Sequence, residues 1–243
     1  MDFRNKPHSP EYIRDVLKNM QDIVGDGWPC WALSNHDVVR SATRWGAEED
    51  AIAYPLVALA LITSLRGSVC MYQGEELGLP EADVPFERIQ DPYGIPLWPV
   101  FKGRDGCRTP MVWNKETHGG FSTTEPWLPV DDRHLALSVD EQESDSASLL
   151  NKVRQLIKWR QLQPELLNGE LAQVSVDNPE LIAYVREYQG KKMLVVINMT
   201  RQNHSAKLPM SVTSVAEGHG FDASLDGQAL SLPAYQAFYA HID

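Results

Sequence analysis

The sequence predicts an α/β segment over residues 1–164, followed by a small all-β domain over residues 165–243. Two observations carry this prediction. The front of the chain alternates helix, strand, helix, strand, which is the rhythm of a parallel α/β architecture. After Leu167 the chain changes to short β-type runs that are separated by turn residues.

The front elements are read from capping residues and hydrophobic periodicity. Ser9-Pro10-Glu11 is a helix start, with a capping hydroxyl, a proline in the first turn and an acid near the positive end of the dipole. Glu48-Glu49-Asp50 is a second, acidic helix start. The predicted elements are a helix over Tyr12–Val24, a strand over Cys30–Ser34, a buried helix over Ala51–Leu65 and a strand over Ser68–Tyr72.

A long stretch from Leu77 to Ser144 has no clear periodicity and is rich in proline, glycine and tryptophan. Its aromatic content argues against disorder, so we expect an ordered loop over a site. A third amphipathic helix is predicted over Ser146–Gln163, and Pro164 should stop it.

The all-β domain is predicted from alternating and apolar runs after this helix. Gln189-Gly190-Lys191 lies between two such runs as a hairpin turn. The expected strands are Leu181–Val185, Met193–Ile197, Ala229–Leu232 and Tyr235–His241.

Charge and composition limit the class of partner. The chain has 22 basic and 33 acidic residues, a net charge of −11, which argues against nucleic acid or an anionic membrane as partner. Residues 1–8 lack the apolar core of a signal peptide, and the apolar run Ala51–Leu65 is too short to span a bilayer. Three cysteines fit no metal motif and no disulfide framework, so we expect reduced thiols in a cytoplasmic protein without a metal or cofactor.

The polar trio Asn35-His36-Asp37 follows directly after the apolar run Trp31–Leu33. In α/β architectures the carboxyl ends of strands are where chemistry is placed, and a histidine beside an aspartate can bind hydroxyls and stabilise positive charge. The same trio is also good turn chemistry, because Asn and Asp bond their own backbone. Position alone leaves both interpretations open.

Several longer motifs around this trio resemble the α-glucosidase branch of the α-amylase superfamily, glycoside hydrolase family 13. The resemblance runs in order over nearly the whole chain. The matching stretches are Asn35-His36-Asp37 with Arg40, Met71–Gly78, Gly103–Trp113, Gly120-Phe121-Ser122 and Pro126–Val130.

This resemblance implies the C-terminal part of a (β/α)8 barrel, about strands seven and eight with their helices, followed by a small β-sandwich. Barrel strands one to six have no counterpart, so the chain resembles a C-terminal fragment of the enzyme. Retaining glycosidases use two carboxylates about 5–5.5 Å apart. The family places its nucleophile in a Gly-x-Arg-x-Asp motif, which this chain lacks, so we expect the chain alone to be inactive.

By the same resemblance, Asp37 matches the third family carboxylate, which binds ring hydroxyls and stabilises the transition state. His36 matches the histidine that bonds the same ring. Arg104 is favoured over Arg108 as the arginine that fixes the non-reducing-end sugar, and a loop-bracing ion pair is the alternative for both. Glu75 and Glu76 are expected to be structural.

The implied function is a retaining α-glucosidase of carbohydrate metabolism that acts on small α-glucosides of the maltose type. Oligo-1,6-glucosidase, sucrose hydrolase and a glucosyl-transferring relative are close alternatives. A non-enzymatic family remnant, a transporter heavy-chain ectodomain and a stand-alone carbohydrate-binding module are rivals from other classes. The missing N-terminal half of the barrel is the expected macromolecular partner.

Overall fold

The computed structural model describes residues 9–45 and 50–243 of the 243-residue chain. They form two compact units, each assembled from separate stretches. The first unit contains residues 32–45, 50–55 and 71–152, and the second contains residues 9–31, 56–70 and 153–243. The acidic helix start at Glu48 and Glu49 and the expectation for residues 1–8 lie outside the described residues.

The helices follow the predicted order along the chain. Short 3-10 turns over Phe86–Arg88, Asp105–Cys107 and Thr117–Gly120 interrupt the long middle stretch. The α-helices are α1 (Pro10–Val24), α2 (Ser41–Arg44), α3 (Ala53–Ser64), α4 (Gly94–Leu97), α5 (Asp132–Leu135), α6 (Val139–Glu143), α7 (Leu149–Arg160) and α8 (Pro164–Asn168).

Within residues 9–45 and 50–243, the strands form three sheets. A parallel pair joins β1 to β2, an antiparallel sheet has the order β3-β4-β5-β10-β7, and a smaller antiparallel sheet has the order β6-β9-β8. The strands are β1 (Cys30–Trp31), β2 (Ser68–Val69), β3 (Glu170–Gln173), β4 (Ile182–Tyr188), β5 (Lys191–Ile197), β6 (His204–Lys207), β7 (Val212–Val215), β8 (Ser224–Asp226), β9 (Ala229–Leu232) and β10 (Ala237–Ile242).

Helix α1 begins as its sequence predicts. The Ser9 hydroxyl caps the helix by accepting a hydrogen bond from the Tyr12 backbone N–H at 3.2 Å. Helix α3 is also confirmed as a buried helix: Val57, Ala58 and Leu59 are at most 1% exposed. Its apolar residues lie on all faces because none of those faces meets solvent.

The carboxyl end of α3 is capped from a distance. Arg160 donates to the Thr63 carbonyl, and the buried Arg186 donates to the Ser64 carbonyl at 2.6 Å and to the Gly169 carbonyl at 2.8 Å. The last carbonyls of a helix have no partner within it. Helix α3 has no basic residue in its last turn. The guanidinium groups of Arg160 and Arg186 therefore supply the hydrogen bonds that its last carbonyls need.

The two front strands pair in parallel as predicted, but each is only two residues long. The predictions of Cys30–Ser34 and Ser68–Tyr72 are wrong in length. After β1 the Leu33 carbonyl accepts from the Arg44 guanidinium, and after β2 the Tyr72 N–H donates to the Glu75 carboxylate at 3.0 Å. Side chains thus take the backbone groups that a longer ladder would have used.

The stretch from Leu77 to Ser144 is ordered around a hydrophobic cluster in the first unit. Leu77, Leu79, Val112 and Leu150 form its buried centre. The buried Gln142 side chain ties the segment together, since its amide donates to the Leu77 carbonyl at 2.9 Å and its oxygen accepts from the Leu150 N–H at 3.0 Å. The prediction of an ordered loop is confirmed, although short helical turns occupy part of it.

The third predicted helix is shorter than Ser146–Gln163, and the role given to Pro164 is wrong. Helix α7 ends at Arg160, and Pro164 then occupies the first turn of α8. Proline is compatible with this position because the first N–H groups of a helix have no partner inside it.

The all-β part packs two sheets on a common core in the second unit. Strands β4 and β5 meet in a hairpin in which Tyr188 pairs with Lys191, and Gln189 and Gly190 both have positive φ, as a tight hairpin turn requires. The last strand begins at Ala237 rather than Tyr235, because Tyr235 has a left-handed φ of 54°. The buried core residues include Leu181, Ala183, Val185, Leu194, Val196, Leu230, Leu232 and Phe238.

Candidate active site

The loop after Ala32 presents His36 and Asp37 to solvent, with side chains 70% and 48% exposed. Asn35 has the turn role, because its side-chain oxygen accepts from the Asp37 backbone N–H at 2.8 Å. The two interpretations of the trio are therefore compatible: Asn35 builds the turn, and the turn displays the next two side chains.

The Asp37 carboxylate is the meeting point of the sequence-predicted site residues. Its Oδ1 accepts from Arg104 Nη1 at 2.9 Å and from Arg108 Nη2 at 3.0 Å. Its Oδ2 lies 3.3 Å from His36 Nε2. The structure thus brings together all four residues that the sequence singled out, and one carboxylate oxygen takes both arginines.

The pKa of Asp37 lies below its ordinary value. Partial desolvation raises this pKa, but the neighbouring His36 and the hydrogen bonds from Arg108 and Arg104 outweigh that effect. Asp37 is consequently a carboxylate at neutral pH, partly exposed and fixed in orientation by two cations.

Arg104 is anchored by a second, fully buried carboxylate. Asp91 Oδ2 accepts from Arg104 Nε at 2.8 Å, and Asp91 Oδ1 accepts from Arg104 Nη2 at 3.0 Å. These bonds hold the pKa of Asp91 well below its ordinary value. The Arg104 guanidinium also lies over the Tyr93 ring, 5.2 Å from its centre.

A third acid, Asp105, braces the same loop from inside. It is completely buried, and its Oδ2 accepts from the backbone N–H groups of Gln90 at 2.7 Å and Asp91 at 2.8 Å. Its Oδ1 lies 3.7 Å from Arg108 Nη1. Arg108 Nε donates to the His36 carbonyl at 2.7 Å, which ties the histidine backbone to this loop.

Arg40 joins three loops beneath the site. Its side chain is 1% exposed, and its two terminal nitrogens donate to the carbonyls of Gln73 at 2.7 Å and Cys107 at 3.2 Å. The Tyr72 hydroxyl donates to the same Cys107 carbonyl at 2.9 Å, and the Arg40 guanidinium lies 5.5 Å from the Tyr72 ring centre. Burial lowers the pKa of Arg40.

Glu75 and Glu76 have structural partners. Glu75 is 6% exposed and accepts from the Ser34 hydroxyl and the Tyr72 N–H, and burial raises its pKa. Glu76 accepts from the Gly74 N–H at 2.9 Å. Both carboxylates close the turn after β2, which agrees with the role that the sequence predicts.

Sequence reasoning missed Asp91 and Asp105 as parts of the site. Asp91 lies between Gln90 and Pro92, and an aspartate before a proline is typical of an exposed turn. This local sequence does not indicate that Asp91 is buried. Asp105 stands beside Arg104, and an adjacent acid and base on a loop is a signal that could have been followed.

Across residues 9–45 and 50–243, no group of three or more His, Cys, Asp or Glu side chains could hold a metal ion. Within the same ranges, every helix is too short or too polar to cross a membrane.

Comparisons with known proteins define first a class and then a family. Residues 3–169 match the model described as alpha amylase, catalytic domain, and residues 181–238 match the alpha-amylase SusG C-terminal domain. This is the class of barrel-based glycoside hydrolases with a C-terminal β domain. The chain belongs to the α-amylase family, and it carries part of the (β/α)8 barrel followed by a β-sheet domain.

Individual relatives agree with this family. The chain is 42% identical over 235 residues to a "Probable alpha-glucosidase" of Rhizobium meliloti (strain 1021), covering 96% of this chain and 42% of that protein. It is 31% identical to a "Probable oligo-1,6-glucosidase 2" of Bacillus subtilis (strain 168), covering 81% and 39%. The chain therefore spans less than half the length of these curated relatives.

Solved structures give the same fold. An alpha-glucosyl transfer enzyme, XgtA, superposes with a TM-score of 0.91 at 41% identity, covering 97% of this chain and 44% of that one. An isomaltulose synthase from Klebsiella sp. LX3 superposes with a TM-score of 0.84 at 23% identity, covering 99% and 48%. At that lower identity the likeness concerns the fold alone.

Proposed function

We propose that this chain supplies the Asp37 side of the glucose-binding subsite in a retaining α-glucosidase. The single observation that carries the proposal is the state of Asp37: half-exposed, ionised and fixed by two arginines on one oxygen. Both arginines bind Oδ1, so Oδ2, which lies beside His36, can accept a hydrogen bond from a ligand hydroxyl.

In the proposed reaction Asp37 does not attack the sugar. It binds ring hydroxyls and stabilises the positive charge that develops as the glycosidic bond breaks. His36, 3.3 Å from the second Asp37 oxygen, donates to the same ring. The nucleophile and the acid/base come from the part of the enzyme that this chain does not span.

The two arginines have different freedom to meet a sugar. All three guanidinium nitrogens of Arg104 donate hydrogen bonds, Nε and Nη2 to Asp91 and Nη1 to Asp37. In Arg108, by contrast, Nη1 lies 3.7 Å from Asp105 Oδ1, which is too long for a hydrogen bond. The sequence favoured Arg104 as the sugar-fixing residue; the hydrogen bonds favour Arg108 for direct contact and Arg104 for holding Asp37.

The proposed substrates are small α-linked glucosides, with maltose-type oligosaccharides preferred. The relative named for α-glucosidase activity supports hydrolysis, and XgtA, named for α-glucosyl transfer, supports transfer as the second candidate at similar identity. The 1,6-linked glucosides are a further candidate because of the Bacillus subtilis relative. Sucrose hydrolysis and a non-enzymatic remnant rank below these.

We also propose the cytoplasm as the compartment and residue 164 as the end of the barrel part. All three cysteines are free thiols, and Cys30 and Cys70 are exposed, which suits a reducing environment. The family matches leave a gap between residues 169 and 181, near the proposed boundary. The macromolecular partner is the remaining N-terminal barrel segment.

The test is to fuse the unmatched part of the Rhizobium meliloti relative ahead of residue 1 and to assay a chromogenic aryl α-glucoside. We expect turnover by the fusion and none by residues 1–243 alone, because only the fusion contains a nucleophile and an acid/base. Adding maltose at high concentration and analysing the products separates hydrolysis from glucosyl transfer.

The intact relative is the positive control for the assay. A folded fusion that turns over no α-glucoside would contradict the proposed function. Turnover by a clean monomer of residues 1–243 would contradict the division of roles, since the chemistry would then need acids that we assign as structural, with Glu75, Glu76 and Asp105 the first to test.

A further inference from the structure

The Asp91 carboxylate accepts four hydrogen bonds. Its side chain is completely buried. Besides the two bonds from the Arg104 side chain, it accepts from the Arg104 backbone N–H at 2.7 Å and from the Tyr93 N–H at 3.1 Å. The Asp91 backbone is itself held by Asp105, at 2.8 Å.

This arrangement leaves Arg104 little choice of direction. Two of its three guanidinium nitrogens face Asp91, and the third, Nη1, faces Asp37. A planar guanidinium held at two points has a fixed plane, so the direction of its remaining N–H is set as well. Rotation toward solvent would cost both charge-assisted bonds to a buried carboxylate.

We propose that Asp91 is a positioning residue: through Arg104 it anchors Oδ1 of Asp37, so that Oδ2, beside His36, is the oxygen presented to the sugar. The inference rests on the proposed role of Asp37 and deepens it. A buried acid with no substrate contact thus determines which carboxylate oxygen the ligand meets.

A simpler role for Asp91 would be to brace its own loop through the backbone bonds to Tyr93 and Arg104. The two roles differ in what Asp37 senses. A brace affects folding stability and leaves Asp37 unchanged in a folded variant. A positioning residue changes the environment of Asp37, where the titratable and charged neighbours are His36, Arg104 and Arg108.

The experiment measures the pKa of Asp37 in residues 1–243 by carbon-13 NMR of the aspartate carboxyls, comparing wild type with Asp91→Asn. It needs no turnover, so its failure is distinct from failure of the proposed function. Removing the negative charge of Asp91 would by itself lower the pKa of Asp37. Losing the aligned Arg104 bond raises it, and we expect a net rise of about 0.5–1 unit.

Arg104→Lys is the second variant, chosen because it keeps both charges and so protects the fold if Asp91→Asn does not fold. A single ammonium held by the buried Asp91 cannot also reach Asp37, so the pKa of Asp37 should rise again. Asp83→Asn is the matched control: it removes a nearby loop carboxylate that pairs with Lys102 and does not contact Arg104.

A rise in the folded variants at positions 91 and 104, without a rise in Asp83→Asn, supports the proposal. An unchanged or lowered pKa of Asp37 in both test variants would overturn the proposal. It would mean that the Arg104–Asp37 hydrogen bond forms without Asp91, or that this bond has no effect on the pKa of Asp37.

Discussion

At the scale of single residues, burial divides three neighbouring aspartates into different roles. Asp91 and Asp105 are fully buried, and their carboxylates face backbone N–H groups and arginine side chains. The Asp37 side chain stays half-exposed. The resemblance of the surrounding motifs to the family identified Asp37, because its position after an apolar run left a turn role open as well. The buried pair was not predicted, since loop aspartates are usually turn residues in water and nothing local encodes their burial.

The first prediction concerns acid stability and Asp91. Its pKa lies below the ordinary 3.8, chiefly through the Arg104 hydrogen bonds. An acid with a depressed folded pKa contributes stability above its unfolded pKa, and that contribution is lost as the pH falls through the folded value. Asp91→Asn should therefore flatten the fall in unfolding free energy below about pH 4, measured by urea unfolding.

Glu75 differs from Asp91 in the sign of its effect on the unfolding free energy. Burial raises the pKa of Glu75, so its stabilising contribution is present below its unfolded pKa and is lost as the pH rises through the folded value. Asp226, an exposed aspartate of β8, serves as the control for an Asp-to-Asn substitution as such. An unaltered slope in Asp91→Asn would show that the Arg104 pair does not persist in solution.

At the scale of elements, helices α1 and α3 were predicted better than the two front strands. Helix α1 carries its own start signal in Ser9, and α3 is apolar on every face, so local sequence determines both. The lengths of β1 and β2 depend on the side chains of Arg44 and Glu75, which take the backbone groups after each strand. Such competition for backbone groups leaves no periodic signal in the sequence.

The second prediction concerns the β4–β5 turn. Gly190 has a φ of 78°, and a Cβ there would meet no atom within 4 Å, so only backbone strain opposes a side chain. Gly190→Ala should cost about 1 kcal/mol in unfolding free energy, and Gly190→Asn should cost less because Asn tolerates the left-handed region. Denaturant melts of both variants check this. Equal costs would show that strain at this residue is not the cause.

At the scale of the whole molecule, the chain brings His36, Arg104 and Arg108 to Asp37 but spans less than half the length of its relatives. Its sequence lacks the Gly-x-Arg-x-Asp motif in which the family places the nucleophile. The net charge of −11 argues against a polyanionic partner. The partial barrel with a β domain was predictable because long sequence motifs identify the family. The predicted lengths of the two front strands were wrong, but this identification does not depend on them.

The most direct test of the proposed role of Asp37 is Asp37→Asn in the fusion, with kcat for an aryl α-glucoside and Tm measured on the same preparation. The substitution removes charge but little volume, and Asp226→Asn is the control. We expect a fall in kcat of about 10²–10³ with Tm nearly unchanged, because the carboxylate stabilises the transition state rather than the fold. An unchanged kcat, or a loss of folding in its place, would contradict this role.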